Sequence, residues 1–173
     1  MKRLRRSPPV CALIAVGCFL TGRSRLSKRH LDKEIAIDGA GRFRIFRHLT
    51  RRTPAADAGA LFVVRFKFAR FSHRVNRWLS LIPVLLIAGF PGFRDKLWLV
   101  DEETGYWLGL YRFESVEAIN AYRRSFVLGV MNRRALAGTV AYETIAATRL
   151  QDYLDAHSHA IKSGETGGGP RCA

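Results

Sequence analysis

A phenol, an imidazole, an amide and two cations stand where they could serve one small-molecule site: Tyr111, His73, Asn76, Arg65 and Lys96. Tyr111 closes the run Trp107-Leu108-Gly109-Leu110-Tyr111, in which Gly109 brings no side chain between two large aromatics. A gap at Gly109, walled by Phe66, Trp98, Trp107 and Tyr122, would take a flat, largely apolar ligand and orient it with a phenol. Helix side chains could equally fill that gap, and spacing leaves both readings open. His73 and Asn76 would add a base and a hydrogen-bonding amide, and Arg65 or Lys96 would hold developing negative charge.

Other chemistries find no support. There is no nucleophilic triad, no carboxylate pair and no phosphate-cradling loop. Cys11, Cys18 and Cys172 lie near the chain ends, outside every periodic segment, and make neither a disulfide framework nor a CxxC site. The five histidines are scattered, with no HExxH and no i, i+4 pair, so no metal site is expected. Ile35 to Gly41, IAIDGAG, imitates a dinucleotide-binding turn, but Arg44 stands where the third glycine belongs and no adequate helix follows before Pro54. No cofactor is expected.

The elements that would position these residues can be read from periodicity. In LFVVRFKF, residues 61–68, Phe62, Val64, Phe66 and Phe68 point one way and Arg65 and Lys67 the other. A helical stretch runs from Ser72 to about Gly89, with Val75, Trp78, Leu79 and Ile82 on one face and a kink or restart at Pro83. Strands over 96–100 and 106–113 flank the polar loop Asp101 to Gly105, whose acidic tip reads as solvated. Ser115 caps a second helix bearing Val116, Ile119, Tyr122 and Phe126, a strand follows over 138–145, and a short helix lies at 149–156.

The order βαββαβ is that of the ferredoxin-like α+β fold with an antiparallel sheet. Pairing Val100 with Tyr106 would place Leu97, Leu99, Trp107, Gly109, Tyr111 and Phe113 under the helices. Lys96, Trp98, Tyr106, Leu108, Leu110 and Arg112 would then share the opposite face with Arg65. That second face is too apolar for water, which predicts a homodimer closed by a second copy of the sheet.

The formal charge of +15 is uneven. Residues 1–52 hold 14 Lys/Arg against 3 Asp/Glu, a net +11, whereas residues 53–173 hold 15 against 11, a net +4. The expected organisation is a basic arm over 1–60, disordered or targeting, a domain over 61–156 and a flexible tail over 157–173. Nucleic-acid binding by the folded domain is not expected. The arm opens with Lys2, Arg3, Arg5 and Arg6 before an apolar run from Val10 to Leu20, too short to span a bilayer, which needs roughly 20 residues. A secretory signal, a lipid attachment and a disordered extension remain open; the expected location is cytoplasmic, with export or membrane attachment through this segment as the alternative. Arg42 to Arg52 mixes basic and apolar residues, as a short membrane-surface helix or a loosely packed flank would, so residues 1–52 also offer a membrane-surface contact.

Phe90-Pro91-Gly92-Phe93, Lys96, Trp98, Gly105, Leu108 to Phe113 and Ala118 to Tyr122 together resemble the YdhR-like mono-oxygenase family, within the dimeric α/β-barrel superfamily of the antibiotic-biosynthesis mono-oxygenases. The resemblance covers about residues 61–156. It implies a dimeric barrel with a pocket between sheet and helices, in which a polycyclic phenol is oxygenated by O₂ without metal or flavin; other members cleave haem or only bind ligands. The function expected is thus cofactor-independent oxygenation of an aromatic or apolar small molecule, with a non-catalytic, ligand-binding or stress-related barrel as the alternative. The first strand carries no Asn toward the pocket and the second helix no clear haem-ligating His, and the long N-terminal arm departs from the family's compact form.

Overall fold

The computed structural model describes residues 8–37, 41–52 and 59–164, the side chains of 159–164 excepted. The linker read over 53–58, the basic stretch 1–7 and the tail beyond 164, with Gly167 to Pro170 and Cys172, lie outside the described residues.

Four strands make the centre: β4 (Gly59–Phe66), β5 (Phe93–Val100), β6 (Trp107–Phe113) and β7 (Ala141–Thr148), antiparallel in the order β5-β6-β4-β7. The β4–β5 connection holds helices α2 (His73–Leu79) and α3 (Leu81–Ala88), and the β6–β7 connection holds α4 (Val116–Arg123) and α5 (Phe126–Arg134). This is the ferredoxin-like α+β arrangement. Central β4 is buried on both faces apart from half-buried Arg65, which is why its sequence is nearly continuous Leu, Phe and Val.

Local chemistry accounts for the breaks. The helix expected over 72–89 divides at Ser80, and Pro83 falls in the first turn of α3, where a missing N–H costs no intrahelical bond. Ser115 Oγ accepts from Ala118 N at the start of α4. In the β5–β6 loop, buried Asp101 accepts from the backbone N–H of Glu103 and Thr104 at 3.0 and 3.1 Å and from Thr104 Oγ1 at 2.6 Å. The acidic tip is therefore only partly solvated: Glu102 pairs with Arg77 of α2, and Gly105, at φ 76°, supplies the left-handed residue of the turn.

That loop also changes the register. Val100 pairs with Trp107, not Tyr106, because Asp101 N–H donates to Tyr106 O and keeps Tyr106 inside the turn. A one-residue slip reverses every side chain of a strand. Lys96 and Trp98 thus lie under the helices, while Leu97 and Leu99 take the opposite face with Leu108 and Leu110.

The folded unit begins well before residue 61. Arg42 to Arg52 contributes neither a surface helix nor a loose flank: β3 (Gly41–Arg51) pairs along β5, from Arg44↔Val100 to Thr50↔Asp95. Phe43 and Ile45 are buried and Arg42 and Arg44 exposed, a period of two that suits a half-buried strand. Short β1 (Ser24–Leu26) and β2 (Glu34–Ile37) pair with the outer edge of β3, and Ile35 leads into an antiparallel pair rather than a nucleotide-binding helix. The apolar run before them is α1 (Pro8–Leu20), packed on α3 where Gly89 admits the Cys11 backbone; a Cβ on Gly89 would stand 1.8 Å from the Cys11 carbonyl oxygen.

The second sheet face is also covered by this chain. Leu150, Tyr153 and Leu154 of α6 (Leu150–Gly164), with Ile35, Phe43 and Ile45, bury Leu61, Val63, Leu97, Leu99, Leu108 and Leu110. Its burial needs no second copy of the sheet. Of this cover, Ile35, Phe43 and Ile45 come from before residue 61, whereas Leu150, Tyr153 and Leu154 belong to the helix expected at 149–156.

Candidate functional site

A cavity of about 340 Å³ lies between the sheet and α3, α4 and α5. The sheet contributes Phe66, Lys96, Trp98, Trp107, Gly109 and Tyr111 as its floor. The helices contribute Ile82, Pro83, Leu86, Tyr122, Val127 and Met131, with Arg134 at the end of α5. The volume suits a small organic molecule, and the lining is overwhelmingly apolar and aromatic.

Gly109 permits this floor in a way that spacing could not show. A Cβ there would sit 2.7 Å from Tyr111 Cε2, so the Tyr111 ring lies across the bare backbone and narrows the gap without closing it. Tyr111 and Tyr122 have ring centroids 5.4 Å apart, and their hydroxyls are hydrogen-bonded to each other. Burial pushes both phenol pKa values up, Tyr122 well up, so both remain protonated at neutral pH and can act as hydrogen-bond donors.

Lys96 is the buried cation of the site. It is 4% exposed, and its Nζ lies 4.1 Å from the Trp98 ring centroid and 4.3 Å from that of Tyr111. Burial, and after it the positive charge of Arg47, push its pKa well below that of an ordinary lysine. Arg47 is held behind it by β3: its guanidinium donates to Ser80 Oγ and, at 3.2 Å, to the carbonyl of Arg77 at the end of α2. A desolvated lysine between two aromatic faces can take up a proton and then hold an anion.

The other expected residues take supporting places. His73 does not line the cavity; its Nδ1 accepts from Trp107 Nε1 at 3.1 Å and its ring stacks on Trp107, fixing that side of the floor. Asn76 is buried outside the cavity, donating to the carbonyls of Arg70 and Phe71 at 3.0 Å and accepting from Arg134 Nη2 at 3.0 Å. It thereby holds the backbone at Phe71, where φ is 69°, and aims Arg134. Arg65 lies on the opposite sheet face, 4.9 Å from the Tyr106 ring centroid, and cannot act with Lys96.

Arg134, Met131 and Val127 were not anticipated, because Phe126–Arg134 carries Gly129 and Val130 and shows little helical patterning. The one available signal, Arg133-Arg134, is also what any helix C-terminus displays. Among the described residues no group of three or more His, Cys, Asp or Glu side chains is placed to hold a metal ion. A second, polar cleft of about 330 Å³ lies on the α6 side, where Asp95 accepts from Arg112 Nε at 2.7 Å and faces His48 Nε2 at 3.3 Å.

No family model and no curated protein matches the sequence. Solved structures do. Among them are a ferredoxin-fold protein related to the antibiotic-biosynthesis mono-oxygenases and a major regulator of staphylococcal pathogenesis. The former, an uncharacterised protein from Listeria monocytogenes, superimposes with a TM-score of 0.48 at 8% identity, over 66% of this chain and 70% of that one. A haem-degrading enzyme from the same organism gives 0.48 at 12%, over 65% and 74%. An anthrone oxidase-like protein gives 0.46 at 16%, over 62% and 54%.

Proposed function

We propose that the chain binds a flat apolar or aromatic molecule in the cavity under α3 to α5 and oxygenates it with O₂. The observation that carries this reading is Lys96, a lysine with a depressed pKa set between Trp98 and Tyr111 in an otherwise apolar chamber. For a substrate with an acidified methylene, the balance is R₂CH₂ + O₂ → R₂C=O + H₂O. Neutral Lys96 takes the methylene proton, and the resulting ammonium pairs with the carbanion. The electron-rich carbanion reduces O₂, a C–O bond forms, and O–O cleavage with a second proton transfer releases water.

Tyr111 and Tyr122 flank the ring system, and the one hydroxyl proton their mutual hydrogen bond leaves free is donated to its oxygen, while Trp107, kept in place by His73, forms the apolar wall. The largely apolar lining lowers the local dielectric, which raises the worth of every charge interaction inside it.

Oxygen uptake with anthrone and related phenols is the test. Wild-type protein is expected to consume O₂, and Lys96→Met to lose about a hundredfold in rate, the usual worth of a general base, while still binding anthrone. Binding without uptake by wild type would make this a ligand-binding barrel; unchanged turnover in Lys96→Met would remove the lysine from the mechanism.

A further inference from the structure

Two exposed apolar rows lie on the helical layer. Along α2 and α3 the outward side chains are Val75, Trp78, Ile82 and Leu85, exposed by 41%, 69%, 57% and 45%. Their spacing of three, four and three keeps to one helical face across the Ser80 break. The sequence pattern that suggested a core face for Val75, Trp78 and Ile82 is therefore turned outward, and Asn76, Ser80, Val84 and Ile87 are buried instead. On α1, which packs against α3, Leu13, Val16 and Leu20 face out while Cys11, Ala15 and Cys18 face in. Single exposed apolar residues are ordinary, but contiguous rows mark a contact surface.

The charge of this layer selects the partner. Helices α1, α2, α3 and α5 contain no Asp or Glu and carry exposed Arg74 and Arg133, with Arg77 paired to Glu102 of the β5–β6 loop and Arg134 turned to Asn76. Lys2, Arg3, Arg5 and Arg6 precede α1 directly in the sequence. Apolar rows on helices that carry cations and no carboxylates of their own complement anionic lipid headgroups over an acyl layer. Among the described residues no helix is long and apolar enough to cross a membrane, so the contact is one of lying on the surface.

The cavity opens into the same layer. Of the residues that line it, Ile82 of α3 and Val130 of α5 are the exposed ones, at 57% and 41%. We infer that the α1–α2–α3 face docks on an anionic bilayer and that the cavity takes an apolar, lipid-dissolved substrate through the mouth between Ile82 and Val130; the second half rests on the pocket reading above. Docked in this way, the mouth receives its substrate without passing it through water.

Flotation of the full chain with phosphatidylcholine vesicles, with and without phosphatidylglycerol, tests the docking. Binding is expected to the anionic vesicles only and to weaken with salt, with a blue shift of tryptophan emission, because Trp98 and Trp107 are already buried and Trp78 is not. The double substitution Trp78→Gln, Leu85→Gln changes neither cavity wall nor core; it should lower vesicle partitioning about tenfold and leave anthrone binding from water intact. Equal flotation on both vesicle types, none on either, or flotation unchanged by the double substitution would overturn the proposal. So would light scattering that shows a dimer for the wild type and a monomer for the double variant, since a second copy would then cover the face. Flotation as expected with no anthrone binding by the wild type would support the docking and overturn the pocket reading on which the substrate depends.

Discussion

Lys96 is the residue on which both the chemistry and the alkaline behaviour of the protein turn. A basic group whose folded pKa is depressed leaves the unfolded chain holding the proton that the folded chain has lost. Between that lowered value and the ordinary 10.5, stability therefore rises with pH, and the rise ends above 10.5. Denaturant midpoints measured at increasing pH should show this climb in the wild type and a flatter profile in Lys96→Met; a wild-type midpoint that falls over this range would contradict a desolvated lysine. Part of the site was legible at this scale. Trp98, Trp107, Tyr111 and Tyr122 were identifiable by type, and Gly109 by its lack of a side chain. Lys96 was legible as a cation for developing negative charge, but its burial in the cavity was not, because its environment depends on which face β5 presents.

At the scale of elements, the register of the β5–β6 hairpin decides that face. Asp101 anchors the turn through three hydrogen bonds to Glu103 and Thr104. Removing a buried acceptor leaves those donors to find water or go without. Asp101→Ala should lower stability by about 2 kcal/mol, read as a shift in denaturant midpoint, and amide exchange should quicken at Gly105 and Tyr106. Stability within a few tenths of the wild type would show that the loop holds its form without this carboxylate. Alternation told strands from helices here and helix signals placed α2, α3 and α4, but alternation cannot count loop residues, so the register moved by one. The outward turn of Trp78 and Ile82 has a similar origin: a helical stripe shows that one face is apolar, not which neighbour it meets.

For the whole molecule, the two faces of the sheet have separate roles, a chamber under α2 to α5 and a dry core under α6. Leu154 is 2% exposed in that second core. Leu154→Ala should cost about 2 to 4 kcal/mol, seen as a lower Tm, while anthrone binding at temperatures below the transition persists because the cavity lies across the sheet. Loss of both together at low temperature would show that the two faces are not independent. The βαββαβ order from β4 to β7, the antiparallel α+β class and the aromatic character of one face follow from the amino-acid sequence, because each is a matter of local period and residue type. The tertiary structure alone decided that the basic N-terminal segment enters the sheet as β3, that α6 covers the face expected to need a partner, and that Lys96 enters the cavity. Each depends on contacts between residues far apart in the chain, and local periodicity carries no record of these.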